Sequence, residues 1–81
     1  MAFYTQTELE ALGFKYLGMN VKLSKLASIY NVGNIEIGDN SRIDDFCILS
    51  AGKEGICIGK HVHIGVYTSL IGAGRIVMED Y

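Results

Sequence analysis

Apolar residues along positions 21–81 recur every six positions rather than at helical or simple strand spacing. Ile37, Ile43 and Leu49 lead successive hexads, and Ile58, Ile64 and Leu70 repeat the series. Four residues after each of the first two leaders stands a small or β-branched side chain: Ser41 and Cys47, then Val62 and Thr68. Gly38, Gly59 and Gly65 directly follow leaders. A six-residue module of this kind is one short strand plus a bend. The leader and the small residue point inward, and Gly or Asn serves the positive φ that a corner needs. Stacked modules place like residues one strand spacing apart, about 4.8 Å, which predicts a parallel β-helix.

The repeat also shows at longer range. Ile35-Glu36-Ile37-Gly38-Asp39-Asn40-Ser41-Arg42-Ile43 aligns with Ile56-Cys57-Ile58-Gly59-Lys60-His61-Val62-His63-Ile64. A weaker copy starts at Val21 and a further one at Ile76. The copies are separated by 14, 21 and 20 residues. The residues beyond three hexads are expected in glycine-rich corners at Ala51–Gly55 and Gly72–Arg75, where an insertion disturbs a stack least.

Ahead of the repeat, Thr5-Gln6-Thr7-Glu8 has the form of a capping box, and Gly13 is a helix stop. The pattern predicts a short helix over 5–12 within an N-terminal cap of residues 1–20. Phe14, Tyr16, Leu17 and Met19 are expected to plug the exposed first coil. At the other end the coil opened by Ile76 stops at Tyr81 before it can close. The chain is therefore expected to be the N-terminal part of a longer protein.

Composition narrows the class. The chain has 81 residues, 49% hydrophobic and 20% charged, and a net charge of −2 with Lys and Arg scattered, so no basic stripe points to nucleic acid. No window approaches the about 20 apolar residues of a membrane span. The first residues lack the basic and apolar regions of a secretion signal, and two cysteines without an export signal read as reduced thiols of a cytoplasmic protein.

The run Ile35–Phe46, with its echo Ile58-Gly59-Lys60-His61-Val62-His63-Ile64-Gly65, resembles the hexapeptide-repeat acyltransferases. The flavour is that of the galactoside, maltose and polysaccharide acetyltransferases. The resemblance implies an all-β, left-handed parallel β-helix, assembled as a homotrimer with active sites between subunits. It also implies acetyl-CoA as co-substrate, no metal, and a sugar or nucleotide-sugar acceptor that is O- or N-acetylated. A histidine of such enzymes acts as general base. The resemblance puts that histidine and the CoA-binding coils further along the family's chains than Tyr81, so these 81 residues alone are expected to be inactive.

Within the chain His61 and His63 are the candidate bases, both outside the core by hexad phase, with His63 beside Arg42 and His61 beside Asn40. Asp44 and Asp45 could bind sugar hydroxyls or orient a histidine from an adjacent subunit, and Phe46 could offer a sugar ring an apolar platform. Cys47 falls on an inward position and Cys57 on an outward one. Two other readings stand beside the acyltransferase. In a zinc hydratase similar to the γ-class carbonic anhydrases, His61 and His63 would alternate along a strand as two ligands. The other reading is a non-catalytic β-helix scaffold.

Overall fold

A computed structural model describes residues 2–81. Ten strands of two or three residues form three parallel sheets, one on each side of a triangular coil. The first sheet contains β1 (Tyr16–Leu17), β4 (Ile35–Ile37), β7 (Ile56–Ile58) and β10 (Ile76–Met78). The second contains β2 (Lys22–Leu23), β5 (Arg42–Ile43) and β8 (His63–Ile64). The third contains β3 (Ser28–Tyr30), β6 (Ile48–Ser50) and β9 (Ser69–Ile71). Every neighbour in a sheet comes from the next coil, so each strand pairs only up and down the stack. The architecture is the left-handed parallel β-helix.

The leaders form continuous interior columns. Leu23, Ile43 and Ile64 stack in register, as do Leu17, Ile37 and Ile58, and Ile29, Leu49 and Leu70. Most of these side chains are fully buried, and Ser41, Cys47 and Val62 fill the corners between them. The hydroxyl of Ser41 donates to the Gly59 carbonyl and accepts from the Val62 amide. An inward polar group is thus satisfied within the stack, as burial requires.

The register of the first coil differs from the sequence expectation. Val21–Leu23 does not stack on Ile35–Ile37; Lys22 pairs with Arg42 and Leu23 with Ile43. Ile35–Ile37 instead receives Tyr16 and Leu17. Tyr16 and Leu17 are therefore strand residues of the first coil, and Tyr16 and Met19 are exposed rather than plugging the core. The misalignment arises because every hexad carries the same apolar spacing, so a segment can be slid by one hexad with no loss of pattern. With the true register, all three insertions fall at one corner: Asn31–Asn34, Ala51–Gly55 and Gly72–Arg75. Asn31 and Asn34 each donate a side-chain amide to the insertion of the coil below, at Ala51 and Gly52.

The cap is built from the helix and the segment ahead of it. α1 (Gln6–Leu12) starts at Thr5 with both arms of the capping box in place and ends at Gly13, φ 90°. Only Leu9 of this helix is buried. Phe3 forms an antiparallel bridge with Ser24, flanked by hydrogen bonds from the Tyr4 amide to Leu23 and from the Lys25 amide to Ala2. This strap occupies the β2 edge that the first coil would otherwise leave unpaired.

Corner geometry separates two roles that the sequence merges. Positive φ falls not on the glycines after the leaders but two residues later, at Asn20, Asn40 and His61, and on Phe46 and Tyr67 at the next corner. Bulky residues in this region cost roughly 1–2 kcal/mol each. The Phe46 and Tyr67 rings stack with centroids 5.4 Å apart and planes 12° from parallel, a contact of about 0.5–1.5 kcal/mol that offsets part of the cost.

Candidate functional site

The second sheet carries the densest polar chemistry. Lys22, Arg42 and His63 stand in register on its outer side. Asp44, one residue past the leader Ile43, is buried at 6% exposure. Its two carboxylate oxygens have different partners: Arg42 Nε–H donates to Oδ1 at 2.7 Å, and His63 Nε2 lies 2.8 Å from Oδ2. Arg42 and His63 were expected side by side; the structure adds Asp44, whose carboxylate bonds both.

Burial by itself would raise the Asp44 carboxyl. The hydrogen bonds from Arg42 and His63, with the Arg42 charge, outweigh it and hold the group below the ordinary carboxylate range. An ionised Asp44 accepts only, so His63 Nε2 carries the proton of this contact. In the neutral imidazole Nδ1 is then the free acceptor. The side chain of His63 is 60% exposed, so the ring has a buried anchor and a solvent-facing surface. An oriented imidazole of this kind can accept a proton from a bound nucleophile.

The other candidates are placed differently. His61 occupies the preceding corner in left-handed conformation, whereas His63 lies in β8, so the two are not alternating positions of one strand. Among the described residues no group of three or more His, Cys, Asp or Glu is arranged to hold a metal ion. Asp45 accepts a hydrogen bond from the buried Ser24 hydroxyl, which itself accepts from the Leu26 amide. The two aspartates therefore have different partners: Asp44 contacts Arg42 and His63, and Asp45 bonds Ser24 of the preceding coil. Phe46 is half-exposed, with one face against Tyr67. Cys47 is buried with its thiol toward the Gly65 carbonyl, Cys57 is half-buried, and both are free. That an aspartate here could contact a histidine was legible from sequence; that the histidine is His63 of the same chain, with Arg42 on the other oxygen, was not. The alternation of Arg42 and Asp44 around a leader, beside a stacked histidine, was the available signal.

No family model matches the chain. Over all 81 residues it is 51% identical to a dTDP-4-amino-4,6-dideoxy-D-glucose acyltransferase of Escherichia coli, covering 42% of that protein. It superposes on AntD, an N-acyltransferase from Bacillus cereus in complex with dTDP and 3-hydroxybutyryl-CoA, with a TM-score of 0.90 and 52% identity over 98% of this chain and 41% of AntD. An AntD mutant in complex with dTDP-4-amino-4,6-dideoxyglucose and Coenzyme A superposes at a TM-score of 0.83 and 53% identity, over 95% of this chain and 39% of the mutant. The chain thus spans about two fifths of the proteins it matches. No described helix is long and apolar enough to cross a membrane.

Proposed function

The chain carries the hexapeptide-repeat β-helix of the left-handed acyltransferases, and from that premise we propose that it serves the CoA-dependent N-acylation of a nucleotide-linked amino sugar. The observation that carries this reading is likeness across every coil: about half the residues are identical to proteins named for that acceptor or bound to it. It refines the sequence expectation in two respects. Among O- and N-acylation it selects N, and the donor extends from acetyl-CoA to CoA thioesters of larger acids such as 3-hydroxybutyrate.

Acyl-CoA supplies the activated carbonyl. The acceptor amine attacks it, the C–N bond forms, the C–S bond breaks, and CoA leaves as the thiolate. His63 accepts the amine proton at Nδ1 as the bond forms and returns it to the sulfur, so product and CoA thiol leave neutral. Asp44 holds the imidazole by its Nε2–H, which leaves Nδ1 facing the amine, while Arg42 keeps Asp44 ionised. Phe46 is assigned to the sugar face, supported by its half-exposed ring. We assign the protein to the cytoplasm on its two free thiols and its donor. We further assign it a homotrimeric state, supported by the exposed apolar column Leu26, Phe46 and Tyr67.

The test is to incubate the protein with dTDP-4-amino-4,6-dideoxyglucose and an acyl-CoA, following free CoA thiol and product mass. With His63 held by Asp44 inside the chain, amide formation is expected in place of the inactivity expected from the resemblance, and His63→Gln should lower kcat by about 100-fold or more. No amide from the wild type would overturn the reaction; a fully active His63→Gln would overturn the base while leaving the reaction standing.

A further inference from the structure

The N-terminal strap reaches beyond the edge it covers. Through its bridge to Ser24 it sets Phe3 against the outer side of the second sheet. There the ring lies 5.5 Å from the Arg42 guanidinium carbon and 6.0 Å from Lys22 Nζ. Arg42 in turn donates Nε–H to Asp44, which contacts His63. One line of contacts therefore runs from the third residue of the chain to the imidazole, from the strap across two coils.

We propose that Phe3 is a positioning residue for His63, acting through Arg42 and Asp44; the proposal rests on the reading of His63 as base. The physical reason lies in the shape of the arginine. Its guanidinium is planar, and the long stem carries several rotamers. Asp44 takes the Nε–H edge, so the plane of the group must be fixed for that bond to hold at 2.7 Å. An aromatic face beside the cation restricts that plane, because the attraction is to the ring's π cloud. With Arg42 fixed, Oδ1 of Asp44 is committed and Oδ2 stays directed at His63. A leucine at position 3 would keep the apolar cover of the strap and lose the π face; a tyrosine would keep both.

The experiment compares wild type, Phe3→Leu and Phe3→Tyr by NMR and kinetics. In Phe3→Leu, exchange of the Arg42 Nε–H with water should rise by about two- to five-fold, the equivalent of an exposed cation–π contact. Its kcat should fall by a similar factor with KM unchanged, and Phe3→Tyr should restore both. Wild-type exchange at Arg42 in Phe3→Leu would overturn the proposal, as would failure of Phe3→Tyr to restore it. Nε–H exchange reports positioning and turnover of His63→Gln reports the base, so failure of one is distinguishable from failure of the other.

Discussion

Three glycines follow hexad leaders and look equivalent in sequence, yet alanine should be damaging at one of them and harmless at another. A Cβ added to Gly38 would stand 2.6 Å from the carbonyl carbon of Gly59, 2.7 Å from its oxygen and 2.8 Å from the Lys60 nitrogen. All three are backbone atoms of the next coil, so no side chain can turn aside. Reaching an ordinary contact near 3.4 Å needs the two coils to part locally by most of an ångström. The Gly38 amide bonds the Ile58 carbonyl at 2.8 Å at this corner, and the same displacement would stretch it to about 3.6 Å, outside hydrogen-bond range.

Overpacking of this kind costs about 1–3 kcal/mol, and the reduced freedom of the unfolded chain returns about 0.4–1 kcal/mol. With about 1 kcal/mol more for the broken hydrogen bond, the net loss is about 2 kcal/mol, which in a domain this size lowers Tm by roughly 8–16 °C. Gly65 differs: nothing lies within 4 Å of its added Cβ, and φ is not positive. The equivalent corner of earlier coils already holds the side chains of Ser24 and Asp44. Gly65→Ala should therefore leave Tm unchanged or raise it by a few degrees, about 0.5 kcal/mol. Circular dichroism melts and urea titrations of both variants make the comparison, with equal m-values as the check on two-state unfolding. Equal shifts in the two variants, or a larger loss at Gly65, would refute the reasoning.

Two further outcomes follow from the polar contacts. The folded-state carboxyl of Asp44 is lowered, so its contribution to stability is complete above its ordinary value of 3.8 and is lost as pH falls through the lowered value. Asp44→Asn should be the less stable form at pH 7, and the gap in urea midpoint should close on acidification from pH 4 towards pH 2; a gap constant with pH would contradict it. Thr5→Ala removes the hydroxyl that accepts the Glu8 amide and should cost about 1 kcal/mol, or roughly 4–8 °C in Tm. Glu8→Gln, which keeps an acceptor for the Thr5 amide, should cost less in the same melts.

The hexad spacing was enough to give a parallel β-helix, the inward columns, the buried Cys47 and the stacking of His63 on Arg42, while its left hand came from the family resemblance. The capping box gave α1 to within a residue. Those features depend on neighbours near in sequence or one repeat away, and a periodic chain displays both. The tertiary structure alone decided which hexad of the first coil meets which of the second, because identical apolar spacing leaves a one-hexad slip invisible. It also decided why the corner glycines are needed: Gly38 makes room for the backbone of the next coil, while the left-handed φ falls on Asn40, His61, Phe46 and Tyr67. At the site, Asp44 read as a ligand of sugar hydroxyls or of a neighbouring subunit's histidine until the stack placed Arg42 and His63 of its own chain within hydrogen-bond reach of it. Phe3, almost forty residues from Arg42, carried no local signal at all. Contacts between coils are set by register, and register is fixed by the sum of packing along the whole stack rather than by any one repeat.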